Sequence, residues 1–281
     1  MEDLGYYNGT YGPIETMTVP MNDRACYFGD GLYEVVYTRN HIPYALEEHM
    51  DRLYDSAAKI GIRIPLTRIE FSQLIRALIQ KVDAHEQMVY WQVSRGTEMR
   101  SHAPARPLMA NVWVTIRPMR LRELSTPMRL ITVEDTRFSH CNMKTLNLLP
   151  SVLASQRAVA AGVDEAVFVR DGRITECAHS NLSVLRGDGV LQTAPADQYI
   201  LAGVARAHLL ALCRSWGIPV LEKPFTRAQM LGADEILVTA SGTLCRGVCQ
   251  VDGIPVGGKA PKLLSSLQNA LMRDFLDSTQ P

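Results

Sequence analysis

FSHCNMKTLNLLPSVLASQ, residues 138–156, carries one charged side chain, Lys144. No other Asp, Glu, Lys or Arg lies between Arg137 and Arg157. MRLITVED, upstream, has strand character. A helix is expected after Lys144, with Pro150 in its first turn, where a missing N–H costs little, and Gly162 closing it. Lys144 therefore falls at a strand-to-helix junction in a long uncharged run. An ammonium taken out of water favours its neutral form. A neutral amine is a nucleophile that forms a Schiff base with an aldehyde and can later move protons. A solvated lysine on a frayed helix start accounts for the local sequence equally well.

The other lysines are Lys59, Lys81, Lys223, Lys259 and Lys262. The first two lie on helical patterns among polar neighbours, Lys223 follows Glu222, and the last two sit beside glycines and prolines. A second feature raises the chemical reading of Lys144. ITECAHSN, 174–181, puts Glu176 at the end of a strand pattern, with no further acid until Asp188. Alone it reads as an ordinary strand-end residue. Paired with a Schiff-base lysine it suggests pyridoxal 5'-phosphate, whose ring nitrogen must keep its proton to act as an electron sink.

Working outward, the 281 residues are 47% hydrophobic, enough for two medium domains or one large one. Positive and negative side chains balance at 29 each, with a sequence pI near 7.0. That balance, without a basic run, argues against nucleic acid as a partner. No segment has the length and apolarity of a membrane span, and MEDLGYYNGT has no secretory character, so a cytoplasmic protein is expected. The cysteines, Cys26, Cys141, Cys177, Cys213, Cys245 and Cys249, form no C-x-x-C pair. They read as free thiols, and no metal site is expected.

The polar stretch RPMRLRELSTP, 117–127, divides the chain into domains expected at 1–120 and 121–281. In the first, GPIETMTVP alternates like a strand, and LYEVVYTRNHIPYAL reads as two strands around an Asn-His turn. EEHMDRLYDSAAKIGI and RIEFSQLIRALIQKV have helical apolar spacing. MVYWQVSRG and LMANVWVTIRP return to strands. In the second, short strands punctuated by RDG and GDG precede the helix VARAHLLALCRSWG, the strand DEILVTAS and an amphipathic tail, KLLSSLQNALMRDFLD.

DRACYFGDGLYEVV, EEHMDRLYDSA, RGTEMRSH, MKTLNLLPSVLA, ITECAHSN, ILAGVAR and ILVTASGT follow one another along the chain. In that order and spacing the sequence resembles the fold-type IV pyridoxal-phosphate aminotransferases, most closely the bacterial D-amino-acid members. The resemblance covers nearly the whole chain. It implies an α/β (α+β) fold, with an N-terminal two-layer α/β domain and a C-terminal strand-rich α/β pseudo-barrel domain carrying the Schiff-base lysine. It implies that Lys144 joins the cofactor and shuttles the proton, and that Glu176 pairs with the pyridine nitrogen. Arg52 would bind the phosphate, Leu201 would pack beneath the ring, and the N–H groups of Val204 and Ala205 would face the phosphate from a helix start. Ser241 would add a hydroxyl and a backbone N–H. Some positions depart from the family pattern: Ala205 and Ala240 replace hydroxyl residues, Cys177, Ala178 and His179 replace a Ser-rich loop, and Phe138 replaces a tryptophan.

The resemblance further implies that Tyr33, Arg100 and His102 clamp the substrate α-carboxylate, with the Arg-x-His loop reaching in from a partner subunit. A homodimer with shared active sites is expected. The implied reaction moves the amino group of D-amino acids, such as D-alanine or D-glutamate, to 2-oxo acids such as 2-oxoglutarate or pyruvate, by a ping-pong route. Alternatives of the same fold are a branched-chain L-aminotransferase, an (R)-amine transaminase and an aminodeoxychorismate lyase. A non-catalytic α/β binding protein is the alternative of another class.

Overall fold

In the computed structural model, which describes residues 1–281, the first unit comprises Met1–Leu121, Met143–Asn147 and Phe275–Pro281. Its elements are β1 (Leu4–Tyr7), β2 (Thr10–Gly12), α1 (Arg24–Phe28), β3 (Gly31–Arg39), β4 (Ile42–Pro43), α2 (Leu46–Ile60), α3 (Arg68–Ile79), β5 (Glu86–Ser94) and β6 (Asn111–Pro118). The strands form one sheet in the order β2-β1-β6-β5-β3-β4, every neighbouring pair antiparallel.

Side chains alternate across a strand, and β3 follows the rule. Leu32, Glu34, Val36 and Thr38 are buried, while Tyr33, Val35 and Tyr37 are half-buried on the opposite face. Leu46, Met50, Leu53 and Ala57 of α2 recur at helical spacing and join Leu32, Val36, Trp91 and α3's Phe71 and Ile75 in one core. The helices thus cover the even face of β3. The Asn-His turn is present, with Asn40 and His41 both in the left-handed region (φ 53° and 61°) that a two-residue hairpin needs.

The strand expected over residues 12–20 does not form. Ile14–Thr16 is a single 3₁₀ turn. The Ile14 N–H donates to the Asp3 carboxylate at 3.0 Å, and the Thr16 hydroxyl donates to the Pro13 carbonyl at 2.8 Å. Pro13 and Pro20 lack the N–H a ladder requires, so local polar bonds prevail over the alternation.

The second unit comprises Arg122–Asn142 and Leu148–Asp274. Its elements are β7 (Met128–Glu134), α4 (Leu149–Ala160), β8 (Glu165–Arg170), β9 (Arg173–Cys177), β10 (Asn181–Leu185), β11 (Leu191–Thr193), α5 (Val204–Ser215), β12 (Val220–Glu222), α6 (Arg227–Gly232), β13 (Glu235–Thr239), β14 (Arg246–Val251), β15 (Ile254–Pro255) and α7 (Pro261–Ser278), whose last residues belong to the first unit. The sheet runs β12-β11-β10-β13-β14-β7-β8-β9, with β15 on β14. β9 comes back against β10, which bends the sheet toward closure. Pro150 lies in the first turn of α4 and Gly162 follows its end at φ +67°.

The division differs from a cut at residue 120 in where it puts Lys144. The Leu146 N–H donates to the Gly31 carbonyl at 3.0 Å, and the Tyr33 N–H donates to the Lys144 carbonyl at 2.9 Å. These bonds pair Thr145 with Leu32 and attach residues 143–147 to β3 of the first unit. No helix is long and apolar enough to cross a membrane. All six cysteines are free.

Candidate active site

Lys144 is fixed by its main chain before its side chain does anything. Its carbonyl accepts from Tyr33, and its ammonium lies 4.3 Å from the centroid of the Tyr33 ring. Tyr33 in turn stacks on Tyr90 of β5, centroids 5.5 Å apart and planes 25° from parallel. The amine is therefore held over an aromatic face that is itself braced. Lys144 is half-buried, not sealed from water as its uncharged surroundings suggest, because charge in the neighbouring sequence says nothing about solvent access.

Arg52 on α2 projects to the even face of β3, where it meets Glu34. Nε donates to Oε1 at 2.7 Å and Nη2 to Oε2 at 2.6 Å, a two-pronged pair on a carboxylate with no exposure. His49 Nδ1 lies 2.7 Å from Glu34 Oε2. A carboxylate only accepts, so Nδ1 carries the hydrogen. Burial pushes the His49 pKa below its ordinary value, against the pull of Glu34, and the charges of Arg52 and Lys144 add to the lowering. A neutral His49 and a charged Arg52 follow, so the guanidinium is the counter-charge and the imidazole is a hydrogen-bond donor. Glu34 and His49 escaped the reading of the sequence, because an acid in the middle of a strand reads as a solvated residue until its partners are known.

Arg100 and His102 lie on the segment after β5. Gly31 pairs with Ser94, so this segment leaves the sheet at the end of β3 where Tyr33 stands. Both side chains are exposed.

In the second unit Glu176 is 6% exposed and closely held. It accepts from Arg137 Nη1 through Oε1, and through Oε2 from Asn181 Nδ2 at 2.9 Å and the Leu201 N–H at 3.1 Å. Arg137 also binds Asp135 and Thr175 and lies 4.3 Å over the Phe168 ring. Burial alone would raise the Asp135 carboxyl, but hydrogen bonds from Arg137 and Arg170 bring it down to about 2. Arg137, Asp135 and Asn181 were not singled out from the sequence; Arg137 adjoins the quoted stretch but its partner lies 39 residues on. Replacing Arg137 with glutamine removes charge-assisted bonds to two buried carboxylates that each keep other donors. A loss of about 2 kcal/mol is expected, read as a lower urea midpoint.

Asn181 also donates to the Leu201 carbonyl at 2.9 Å. A Cβ on Gly203 would come within 2.1 Å of the Asn181 amide oxygen, so glycine there leaves room for the amide that joins Glu176 to the Leu201 loop. Gly203 is also the N-cap of α5, and no side chain caps that helix. The first turn of α5, which begins with Val204 and Ala205, thus has no side-chain cap, and a helix start of that kind suits an anion. Asn181 opens β10 and pairs with Thr239, the last residue of β13; Ser241 lies two residues beyond that strand end, and residues 178–180 precede Asn181. One of these, His179, stands in the loop where the Ser-rich pattern is absent, and the buried Glu165 carboxylate holds its N–H at 2.9 Å and the Ser180 hydroxyl at 2.8 Å.

Each unit holds some of the residues expected from the sequence. Tyr33, Arg52, Lys144, Arg100 and His102 lie in the first, and Glu176, Leu201, Val204, Ala205 and Ser241 in the second. Taken unit by unit, a half-buried amine in the first suits the aldehyde of pyridoxal phosphate, and a buried carboxylate with a fixed counter-charge and a helix start without a side-chain cap in the second suit its ring nitrogen and phosphate.

Residues 31–251 match the family described as amino-transferase class IV. The chain is 34% identical over 276 residues to the D-alanine aminotransferase of Bacillus licheniformis, covering 97% of each chain. It is similar in structure to the branched-chain aminotransferase from Thermoproteus uzoniensis with norvaline, at 23% identity and a TM-score of 0.89, covering 99% of this chain and 96% of that one. A T.th. branched-chain amino acid aminotransferase with pyridoxamine 5'-phosphate gives 24% identity and a TM-score of 0.90, over 99% and 95%. At these identities the two structures speak for the fold.

Proposed function

The chain belongs to the amino-transferase class IV family, and from that membership we propose that it moves the amino group of D-amino acids, such as D-alanine and D-glutamate, to 2-oxo acids, such as 2-oxoglutarate and pyruvate, in a ping-pong reaction with pyridoxal 5'-phosphate. The observation that carries the D reading is the Arg100-x-His102 pair on an exposed segment of the chain. A relative named D-alanine aminotransferase supports it.

Bound pyridoxal phosphate supplies a ring that spreads the charge left when the α-proton departs. Lys144 Nζ would hold the cofactor and, once the substrate amine had displaced it, would be free to move that proton, its reach limited by the main-chain bond to Tyr33. Glu176 keeps the proton on the ring nitrogen, with Arg137 as its fixed counter-charge. Arg52, the N–H groups of Val204 and Ala205, and Ser241 hold the phosphate. Leu201 packs beneath the ring. Tyr33, Arg100 and His102 give a phenol, a guanidinium fork and an imidazole to one carboxylate. Clamping that carboxylate decides which enantiomer turns its Cα–H toward Lys144, a positional effect.

The test is incubation with 2-oxoglutarate and either D-alanine or L-alanine, following pyruvate. Turnover of D-alanine is expected, and turnover of L-alanine alone overturns the D assignment. Arg100 and His102 are exposed on their own chain, as a loop serving a second copy must be, and a homodimer with shared sites is part of the proposal. Lys144→Ala and Arg100→Ala proteins, each inactive alone, should regain activity when mixed and allowed to exchange subunits. One hybrid site then carries both intact side chains. Mixing without recovery, although mass measurement shows hybrids, would refute sharing.

A further inference from the structure

Arg24 is 3% exposed, and all three of its guanidinium nitrogens are engaged. Nε donates to Asp30 at 2.8 Å, Nη1 to the Ser101 carbonyl at 2.6 Å, and Nη2 to the His102 carbonyl at 2.9 Å. Asp30 also accepts from Arg95 Nε, at 2.8 and 3.0 Å. Arg95 opens the segment that carries Arg100 and His102. One carboxylate therefore ties that segment at its start directly, and at residues 101 and 102 through Arg24. Residues 99–107 are exposed apart from these ties, with Leu108 only half-buried beyond them.

Arg24 is itself well seated. Asp23 caps α1 by accepting from the Ala25 N–H at 2.8 Å, and its carboxylate also takes Ser94 and Asn111. The Arg24 N–H donates to the Gly96 carbonyl at 3.0 Å. Four residues on, the Phe28 ring lies 4.9 Å from the Arg24 guanidinium carbon, 5.2 Å from that of Arg100 and 5.3 Å from the His102 ring. A planar guanidinium can grip two successive carbonyls in fixed directions, which an ammonium cannot.

We propose that Arg24, with Asp30 as its counter-ion, is a positioning residue for recognition of the substrate carboxylate: by holding the Ser101 and His102 carbonyls it fixes the directions in which Arg100 and His102 present their donors. The proposal rests on the carboxylate role given above to those two residues. Arg24 touches no substrate in this scheme, and its effect passes through the peptide planes on either side of the loop.

The test is Arg24→Lys, which keeps the charge on Asp30 and so keeps the fold, but loses the fork. KM for whichever alanine enantiomer the unmodified enzyme turns over should rise about 10²-fold, the scale for a small misplacement of binding groups. The kcat at saturation and the affinity for pyridoxal phosphate, followed by absorbance, should be little changed. Hydrogen–deuterium exchange should quicken in peptides covering 98–105 and stay constant over β3 and β5. An unchanged KM with unchanged exchange overturns the proposal. So does a parallel fall in kcat and cofactor affinity, which would make Arg24 a general prop of the fold. Turnover of L-alanine only would sink the D assignment while the KM of Arg24→Lys for L-alanine still decided this one. With neither enantiomer active, the exchange rates decide it.

Discussion

Lys144→Ala is expected to lower transamination about 10⁴-fold, the upper range for loss of a positioned acid–base group, measured as pyruvate formed from D-alanine. The protein should still fold, because Lys144 is joined to β3 through its carbonyl and not through its amine. The specific readout is chemical. Borohydride reduction of the cofactor-loaded enzyme, followed by peptide mapping, should put the pyridoxyl group on the peptide containing residue 144. Recovery of the label on Lys59, Lys81, Lys223, Lys259 or Lys262, or on none, would end the assignment.

The second large effect lies behind β3. Glu34→Gln leaves the Arg52 guanidinium, only 12% exposed, without its carboxylate. Removing one partner of a buried ion pair costs about 3–5 kcal/mol, and a fall in urea midpoint of that order is expected. Cofactor affinity should drop as well, since the two-pronged bond that aims Arg52 is gone. The pH dependence follows from the same pair. Burial alone would raise the Glu34 carboxyl, but Arg52 and then His49 bring it from 4.5 down to about 2. The folded carboxyl titrates below the unfolded one, so its stabilisation is full above pH 4.5 and is lost as pH falls toward about 2. The acid transition of Glu34→Gln should therefore be shallower than that of the unmodified chain over this window. Equal acid transitions would show that the triad contributes nothing.

The sequence marked candidate residues where they stand in a short motif. Lys144 stood out because its neighbours are uncharged, and Glu176 because its strand end holds one acid. Helices α2, α3, α5 and α7 were legible because apolar residues recur with the helical period. What stayed hidden are the partners that hold these residues in place. Arg137 reaches Glu176 across 39 positions, and Arg24 reaches Ser101 across 77. Such bonds exist only once the strands have paired, and no local pattern encodes them. The missing strand at residues 12–20 has a different cause, since the two prolines that deprive the ladder of donors stand in the stretch itself and outweigh its alternation. The half-buried state of Lys144 is set by β3 and Tyr33, more than a hundred positions away.

Lys144 sits in a five-residue piece that joins the first unit although the residues on both sides of it join the second. During synthesis the first 121 residues can pair their strands, yet the flank of β3 that takes Thr145 waits until residues 143–147 have been made. Lys144 is therefore placed by a strand made well before it, and a chain ending ahead of residue 143 would keep β3 while lacking the segment that docks on it.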